Sequence, residues 1–223
     1  MPEYYTAYND RYLQVHARNL QWADSAPSPI VADTLIKYGI GQGSNILELG
    51  CGEGRDAAYL LKQGYNVLAT DVALEAIRYC REQFPDYAEH FQVLDCVAGT
   101  LDTKFDFIYA VAVVHMLVED NDRARFYGFL REHLNPGGAA LVCSMGDGEM
   151  TCRTDPSRAF ALQERQHSQT GQTLSIAATT CRMVSADEFR QEIKGSGLRI
   201  REAGLTETVP GFSSMLYAIT ESK

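Results

Sequence analysis

Ile46-Leu47-Glu48-Leu49-Gly50-Cys51-Gly52-Glu53-Gly54 decides the fold of this chain. A short apolar run leads into a glycine-rich turn, and a helical pattern follows it. Glycine lets the backbone turn tightly and approach a ligand without a Cβ in the way. A helix start adds free N–H groups and the positive end of its dipole. The same rhythm repeats downstream. The spacing predicts strands over 45–49, 66–70, 91–94, 105–112 and 139–144. Helices are predicted between them over 53–62, 74–83 and 122–134. The fourth strand is almost uncharged, as in parallel sheets covered on both faces. Asn135-Pro136-Gly137-Gly138 is expected to end the third of these helices. Alternating strands and helices predict a doubly wound α/β sheet with ligands at the carboxyl ends of its strands.

The flanks read differently. Tyr5, Tyr8, Tyr12 and Val15 share one helical face. Ser28-Pro29 reads as an N-cap followed by proline at the first helical position. Residues 145–184 are polar, mixed in charge and weakly periodic, and a stretch this long is expected to be functional or flexible. Ser185-Ala186-Asp187-Glu188 is a capping-box signature. Strands are predicted over 198–203 and 215–219, joined as a hairpin through Val209-Pro210-Gly211.

Composition narrows the function. The chain has 223 residues, 45% of them hydrophobic and 22% charged, which suits one globular core and excludes a wholly disordered chain. Its net charge is −9, from 20 basic and 29 acidic residues. Nucleic acids and anionic membranes require positive potential, so neither is expected as a partner. No stretch approaches the roughly 18 apolar residues of a membrane span, and residues 1–10 lack a secretory pattern. The cysteines are Cys51, Cys80, Cys96, Cys143, Cys152 and Cys181. None forms a C-x-x-C pair, so no metal site is expected, and scattered thiols suit the reducing cytoplasm.

Acidic residues surround the glycine turn. Asp71 ends the second strand, where a carboxylate can accept bonds from ribose hydroxyls. Asp95 ends the third and can accept from an exocyclic adenine amine. The dinucleotide fingerprint G-x-G-x-x-G is not met, because the third glycine falls one place early and Arg55 stands where it belongs. Glu48 would sit badly beside a pyrophosphate and suits a ligand with a cationic amine and no phosphate. S-adenosylmethionine is such a ligand.

At these residues the chain resembles the class I S-adenosylmethionine-dependent methyltransferases. Residues 46–54 match their first motif, h-h-[DE]-h-G-x-G-x-G. Asp71 and Asp95 match the ribose and adenine acids, Phe105-Asp106 through His115-Met116 the fourth motif, and Leu134 to Gly138 the L-x-P-G-G turn. The resemblance implies a Rossmann-like, seven-stranded, mostly parallel sheet with helices on both faces and strand seven antiparallel. It implies S-adenosylmethionine as cofactor and S-adenosylhomocysteine as product. The cofactor contacts it implies are Glu48, Gly50, Cys51, Gly52, Gly54, Asp71, Val72, Asp95, Cys96 and Val111. Gly54-Arg55-Asp56, Tyr59-Leu60 and Gly64-Tyr65 look most like the tellurite-resistance and thiopurine methyltransferase branch. A serine that many members carry after the ribose acid is Ala73 here, which removes a helix cap.

Methyl transfer is a displacement at a sulfonium methyl, so the protein mainly positions and desolvates the reactants. His115, at the mouth of the fourth strand, is the candidate base or acceptor-positioning residue. Tyr8, Tyr12, His16, Trp22, Asp147 and His167 are candidates for the acceptor pocket. The expected organisation is one domain over 1–223. It comprises an N-terminal helical cap at 1–44, a cofactor-binding core at 45–144, an insertion and acceptor lid at 145–184, and a C-terminal helix and hairpin at 185–223. The expected function is a cytoplasmic small-molecule methyltransferase. An NAD-dependent oxidoreductase and a catalytically silent S-adenosylmethionine-binding regulator are the alternatives.

Overall fold

The computed structural model describes residues 3–222. Its elements run α1 (Ala7–His16), α2 (Pro29–Lys37), β1 (Asn45–Leu49), α3 (Arg55–Lys62), β2 (Asn66–Asp71), α4 (Leu74–Gln83), β3 (Phe91–Val93), β4 (Phe105–Val111), α5 (Asp120–His133) and β5 (Leu134–Met145). Then come β6 (Cys152–Arg153), β7 (Leu162–Gln166), β8 (Thr173–Ala177), β9 (Arg182–Met183), α6 (Ala186–Gly195), β10 (Leu198–Thr206) and β11 (Met215–Ser222).

Seven strands form one sheet in the order β10-β11-β5-β4-β1-β2-β3. β1 to β5 pair in parallel, and β11 runs antiparallel to both β5 and β10. The expected Rossmann-like sheet with an antiparallel last strand is therefore present. The strand order reverses at the β1–β4 pair, and the carboxyl ends there open the crevice where such sheets bind ligands.

Both faces of the sheet are covered because successive strand side chains point to opposite sides. Leu47, Leu49, Ile108, Ala140 and Val142 pack under α5 and α6. Ile46, Phe107, Tyr109, Leu141 and Cys143 pack under α2, α3 and α4.

Several sequence boundaries shift for physical reasons. The first helix after β1 begins at Arg55, two residues late, because Gly54 is in the left-handed region (φ +80°) and cannot belong to it. The Asn135–Gly138 turn lies inside β5, as an irregularity between the Phe105↔Leu134 and Phe107↔Ala139 pairings. Ser28 does stand at the N-cap of α2, with Pro29 at its first position, yet its hydroxyl does not cap that helix. It donates to Asp56 Oδ2 at 2.9 Å and so ties α2 to the first turn of α3. The capping box at Ser185 and Glu188 forms as read.

The weakly periodic insertion is better ordered than its sequence suggests. β6 pairs with β9, and β7 with β8, as two antiparallel ribbons. Leu174 and Ile176 alternate inward from β8 and meet Val15 of α1, with Leu20 and Trp22 alongside. The cap and the insertion thus share a small core of their own. Among the described residues, no helix is long and apolar enough to cross a membrane.

Candidate functional site

The site lies at the carboxyl ends of β1, β2 and β4. Gly50 and Gly52 are both left-handed, at φ +71° and +53°. A Cβ on Gly50 would meet Val113 Cγ2 at 2.4 Å, and one on Gly52 would meet the Tyr12 hydroxyl at 2.7 Å. A side chain at either position would be strained and would have to displace Val113 or the Tyr12 hydroxyl. Asp71 fixes this turn from β2. Its Oδ2 accepts the Gly52 N–H and its Oδ1 the Ala73 N–H, both at 2.8 Å. Burial raises the Asp71 carboxyl, and the Ala73, Gly52 and Val72 amides oppose that rise. Each Asp71 oxygen keeps a further lone pair.

Glu48 is buried on the α3 side, in register with Tyr109. Burial pushes its carboxyl well up, and the neighbouring Asp56 adds to this. Glu48 Oε2 and the Tyr109 hydroxyl are buried side by side, and the Tyr109 hydroxyl opposes the rise. Cys51 packs against Cys80, and burial followed by that thiol raises its own. Asp95 Oδ1 accepts the Val97 N–H at 2.8 Å, and Oδ2 accepts the Tyr5 hydroxyl at 3.0 Å. Burial and then Asp95 push the Cys96 thiol up to about 12. Val111 is buried at the end of β4. Val72 and Leu74 line a surface depression of about 420 Å3, closed on its other sides by Thr6, Asn9, Asp10 and Phe160.

His115 is buried in a short turn, Val114–Met116, beyond β4. Its Nδ1 accepts the Met145 N–H at 3.4 Å. Burial and the Arg123 guanidinium lower it to about 4, so the ring is neutral at neutral pH. Arg123 also donates to the Val114 and Leu117 carbonyls, at 2.7 and 3.2 Å, and so holds this turn. Ala112, just before it, is left-handed (φ +62°). A non-glycine residue there costs roughly 1–2 kcal/mol, and such strain clusters at functional sites.

The cap reaches this end of the sheet by polar contacts. His16 Nε2 lies 2.9 Å from Glu53 Oε1, and Nδ1 lies 3.0 Å from Glu75 Oε1. Carboxylates only accept, so both ring nitrogens donate and the ring is an imidazolium. Burial opposes that charge, while the bonds and charges of Glu53 and Glu75 outweigh it and raise His16 above its ordinary range. Arg78 first, and His16 after it, hold Glu75 below the usual carboxylate range. Glu53 also accepts the Trp22 and Ala23 N–H groups, both at 2.8 Å. Asn9 Oδ1 accepts the Glu75 N–H at 3.0 Å and supplies the α4 cap that Ala73 lacks.

The sequence candidates therefore divide. Tyr12 and His16 meet the glycine turn or its flank. The Arg11 guanidinium lies over the rings of Tyr8 and Trp22, 4.9 and 4.6 Å from their centroids. Arg11 in turn donates to the Ala177 and Ala178 carbonyls of the insertion, at 2.8 and 2.6 Å through Nη2. His167 Nε2 lies 2.6 Å from the Gln21 carbonyl, where it ties the insertion to the cap. Asp147 is exposed and accepts the N–H groups of Glu149 and Met150 in its own loop. Arg11, Asn9, Tyr5, Glu53, Glu75 and Arg123 were not among the site candidates of the sequence. Only Glu53, inside the glycine motif, carried a positional signal. The others matter through partners distant in sequence. Among the described residues, no group of three or more His, Cys, Asp or Glu side chains is arranged to hold a metal ion.

Residues 46–138 match the family model described as a methyltransferase domain. A hemagglutinin 1 of Eikenella corrodens is 33% identical over 106 residues, 45% of this chain and 34% of that protein. A probable S-adenosyl-L-methionine-dependent methyltransferase, TehB, of Haemophilus influenzae is 30% identical over 122 residues, 53% of this chain and 42% of that protein. The matched region is thus less than half the length of either relative. Among solved structures, the glycopeptide N-methyltransferase MtfA complexed with S-adenosyl-L-methionine superposes with a TM-score of 0.65 at 22% identity, over 89% of this chain and 95% of that one. At that identity the likeness is one of fold.

Proposed function

We propose that this chain, whose residues 46–138 match the methyltransferase-domain model, is a class I S-adenosylmethionine-dependent methyltransferase that transfers the methyl group of S-adenosylmethionine to a small-molecule acceptor. The observation that carries the reading is the cradle at the end of β1. Its glycines leave little space for side chains, Asp71 holds the turn from β2, and buried Glu48 stands at the end of β1 with the Tyr109 hydroxyl as its hydrogen-bonding neighbour within the chain. That combination suits a ligand with a diol and a cationic amine. The ribose hydroxyls fall to the free lone pairs of Asp71, the adenine edge to Asp95 and Val72, and the amino-acid end to the glycine turn near Glu48. Cys51, Gly54, Cys96 and Val111 form the walls of the same site. When bound, the cofactor supplies a methyl group on a positively charged sulfur.

The chain's own part is to position the acceptor and to keep water out. His115 is neutral at working pH, with Nδ1 engaged by Met145 and Nε2 left for a partner. A group lowered to about 4 is a weak base. With Nδ1 accepting, the ring proton is on Nε2. Nε2–H therefore orients the acceptor by donating to one of its oxygen atoms, and removes no proton before the methyl is transferred. The cap residues Tyr8, Tyr12, His16 and Trp22, with Asp147 and His167 of the insertion, belong to the elements that enclose the acceptor side. The chain's acidic charge of −9 favours a small acceptor over a nucleic acid.

Titration calorimetry with S-adenosylhomocysteine and with NADH tests the reading. Binding of the first alone is expected, and binding of NADH alone overturns it. Asp71→Ala is expected to weaken S-adenosylhomocysteine by about 1–3 kcal/mol, through lost charge-assisted bonds. An unfolding measurement on the same variant separates this from loosening of the turn. Transfer of labelled methyl to a panel of acceptors then separates an enzyme from a silent binding module, which would bind tightly and never turn over.

A further inference from the structure

We propose that Cys152 and Cys181 form a redox-reactive dithiol site, which a hydroperoxide converts to a disulfide that clasps the insertion at its base. All six cysteines are free thiols. The β6–β9 ribbon pairs Cys152 with Met183 and Arg153 with Arg182. Thr154 therefore stands opposite Cys181, and the bonds agree: the Thr154 N–H donates to the Cys181 carbonyl at 3.0 Å, and the Cys181 N–H to Thr154 Oγ1 at 2.9 Å. Strand side chains alternate, so Cys152, Thr154, Cys181 and Met183 share one face of the ribbon. The two cysteines are diagonal neighbours on it, and Cys152 is near enough to raise the Cys181 thiol. The ribbon is only two residues long on each strand, so little structure resists the closure a disulfide requires.

Access distinguishes this pair from the other one. Cys152 is exposed and Cys181 half-buried. Cys51 and Cys80 pack against each other, but both are buried, and the Cys80 thiol donates to the Gly52 carbonyl at 3.2 Å. A hydroperoxide reaches the first pair from solvent and the second only if the glycine turn opens.

The chemistry starts at the exposed sulfur. The Cys152 thiol gives up its proton and its sulfur attacks one oxygen of the hydroperoxide; the O–O bond breaks, and the departing oxygen takes up that proton and leaves as water or an alcohol, giving a sulfenic acid. Burial and then Cys152 hold the Cys181 thiol up to about 12. Conversion of Cys152 removes that second influence. The Cys181 sulfur then displaces the hydroxyl, which leaves as water with the Cys181 proton, and the S–S bond forms. Two thiols lose two electrons, and one hydroperoxide takes them up.

The consequence lies at the acceptor side. Thr180 Oγ1 donates to the Met116 carbonyl at 2.6 Å, and Arg182 Nη1 to the Val118 carbonyl at 3.1 Å. Residues 180–182 are thereby fixed to the turn that carries His115. A bond from Cys152 to Cys181 encloses residues 153–180, including the β7–β8 ribbon, and ties them to that turn.

The full-length chain treated with hydrogen peroxide, alkylated and mapped without reduction tests this. The expected result is a mass loss of two hydrogen atoms and a linked peptide pair joining Cys152 to Cys181. Dithiothreitol should reverse it, Cys152→Ser and Cys181→Ser should each abolish it, and Cys51→Ser should leave it intact. Tryptic cleavage after exposed Arg158 and Arg165, inside the closed loop, should slow several-fold in the oxidised protein and recover on reduction. A link between Cys51 and Cys80, over-oxidation of Cys152 without a link, or no reaction overturns the site. A link with unchanged cleavage overturns the clasp. None of these outcomes depends on cofactor binding or methyl transfer.

Discussion

His16 and His115 are the same side chain at two edges of one crevice, and their surroundings give them opposite charges. His16 lies between Glu53 and Glu75 and is held protonated. His115 is buried beside Arg123, with a backbone N–H on Nδ1, and is held neutral. In the first site two acceptors outweigh the cost of burial. In the second, burial and a cation act together. The comparison separates two tasks at the mouth of the sheet: a charged ring fastens the cap to the glycine turn, and a neutral ring is buried in the turn beyond β4, where we propose that the acceptor is positioned.

The largest expected effect tests the neutral ring. An imidazole of ordinary value near 6.5 that folds to about 4 binds its proton more readily when unfolded. Its contribution to stability is present above pH 6.5 and is lost as pH falls toward 4. At about 1.4 kcal/mol per unit, the loss reaches about 3 kcal/mol. Urea unfolding of the parent and His115→Gln across that range should show this slope only in the parent. Parallel curves would mean that His115 is charged or solvated.

The charged ring has the opposite sign. Its folded value is raised, so its stabilisation is complete below pH 6.5 and fades as pH rises through the raised value. His16→Ala should cost about 2 kcal/mol at pH 6, since Glu75 keeps Arg78 and Glu53 keeps two N–H donors. The gap between parent and variant should narrow in alkaline solution. A gap that does not depend on pH would reduce the site to packing against Tyr79 and Tyr12, whose rings lie near His16.

The smallest effect sharpens the same division. Asn9→Ala removes the α4 cap that α1 provides and should cost about 1 kcal/mol in thermal or urea unfolding. Ala73→Ser offers a local cap at the N-cap position and should recover most of it. If Ala73→Ser recovers nothing, the bond from Asn9 is worth more as an anchor of the cap than as a helix cap.

How far these features were legible follows from the range of the interactions. The strand–helix rhythm over 45–144 depends on neighbours within a few residues, and the mostly parallel sheet appears with its expected antiparallel last strand. The glycine turn and Asp71 were legible for the same reason, because a tight βα turn and a strand end are local events. Asn9, Arg11 and Arg123 were not, because each acts on a backbone group or helix end brought close only by folding. The β7–β8 ribbon was missed although Leu174 and Ile176 alternate, since two apolar residues among polar ones are too short a period to stand out. The charge of a histidine was not legible at all.

By itself, the sequence determined the α/β sheet, the position of its crevice and the backbone cradle at Gly50–Gly54. These rest on strand periodicity and on a backbone conformation that favours glycine. The tertiary structure alone decided that the cap and the insertion pack into one small cluster, that α1 caps α4, and that His16 is charged while His115 is neutral. Those outcomes depend on burial and on partners far apart in the chain, and no local pattern encodes them.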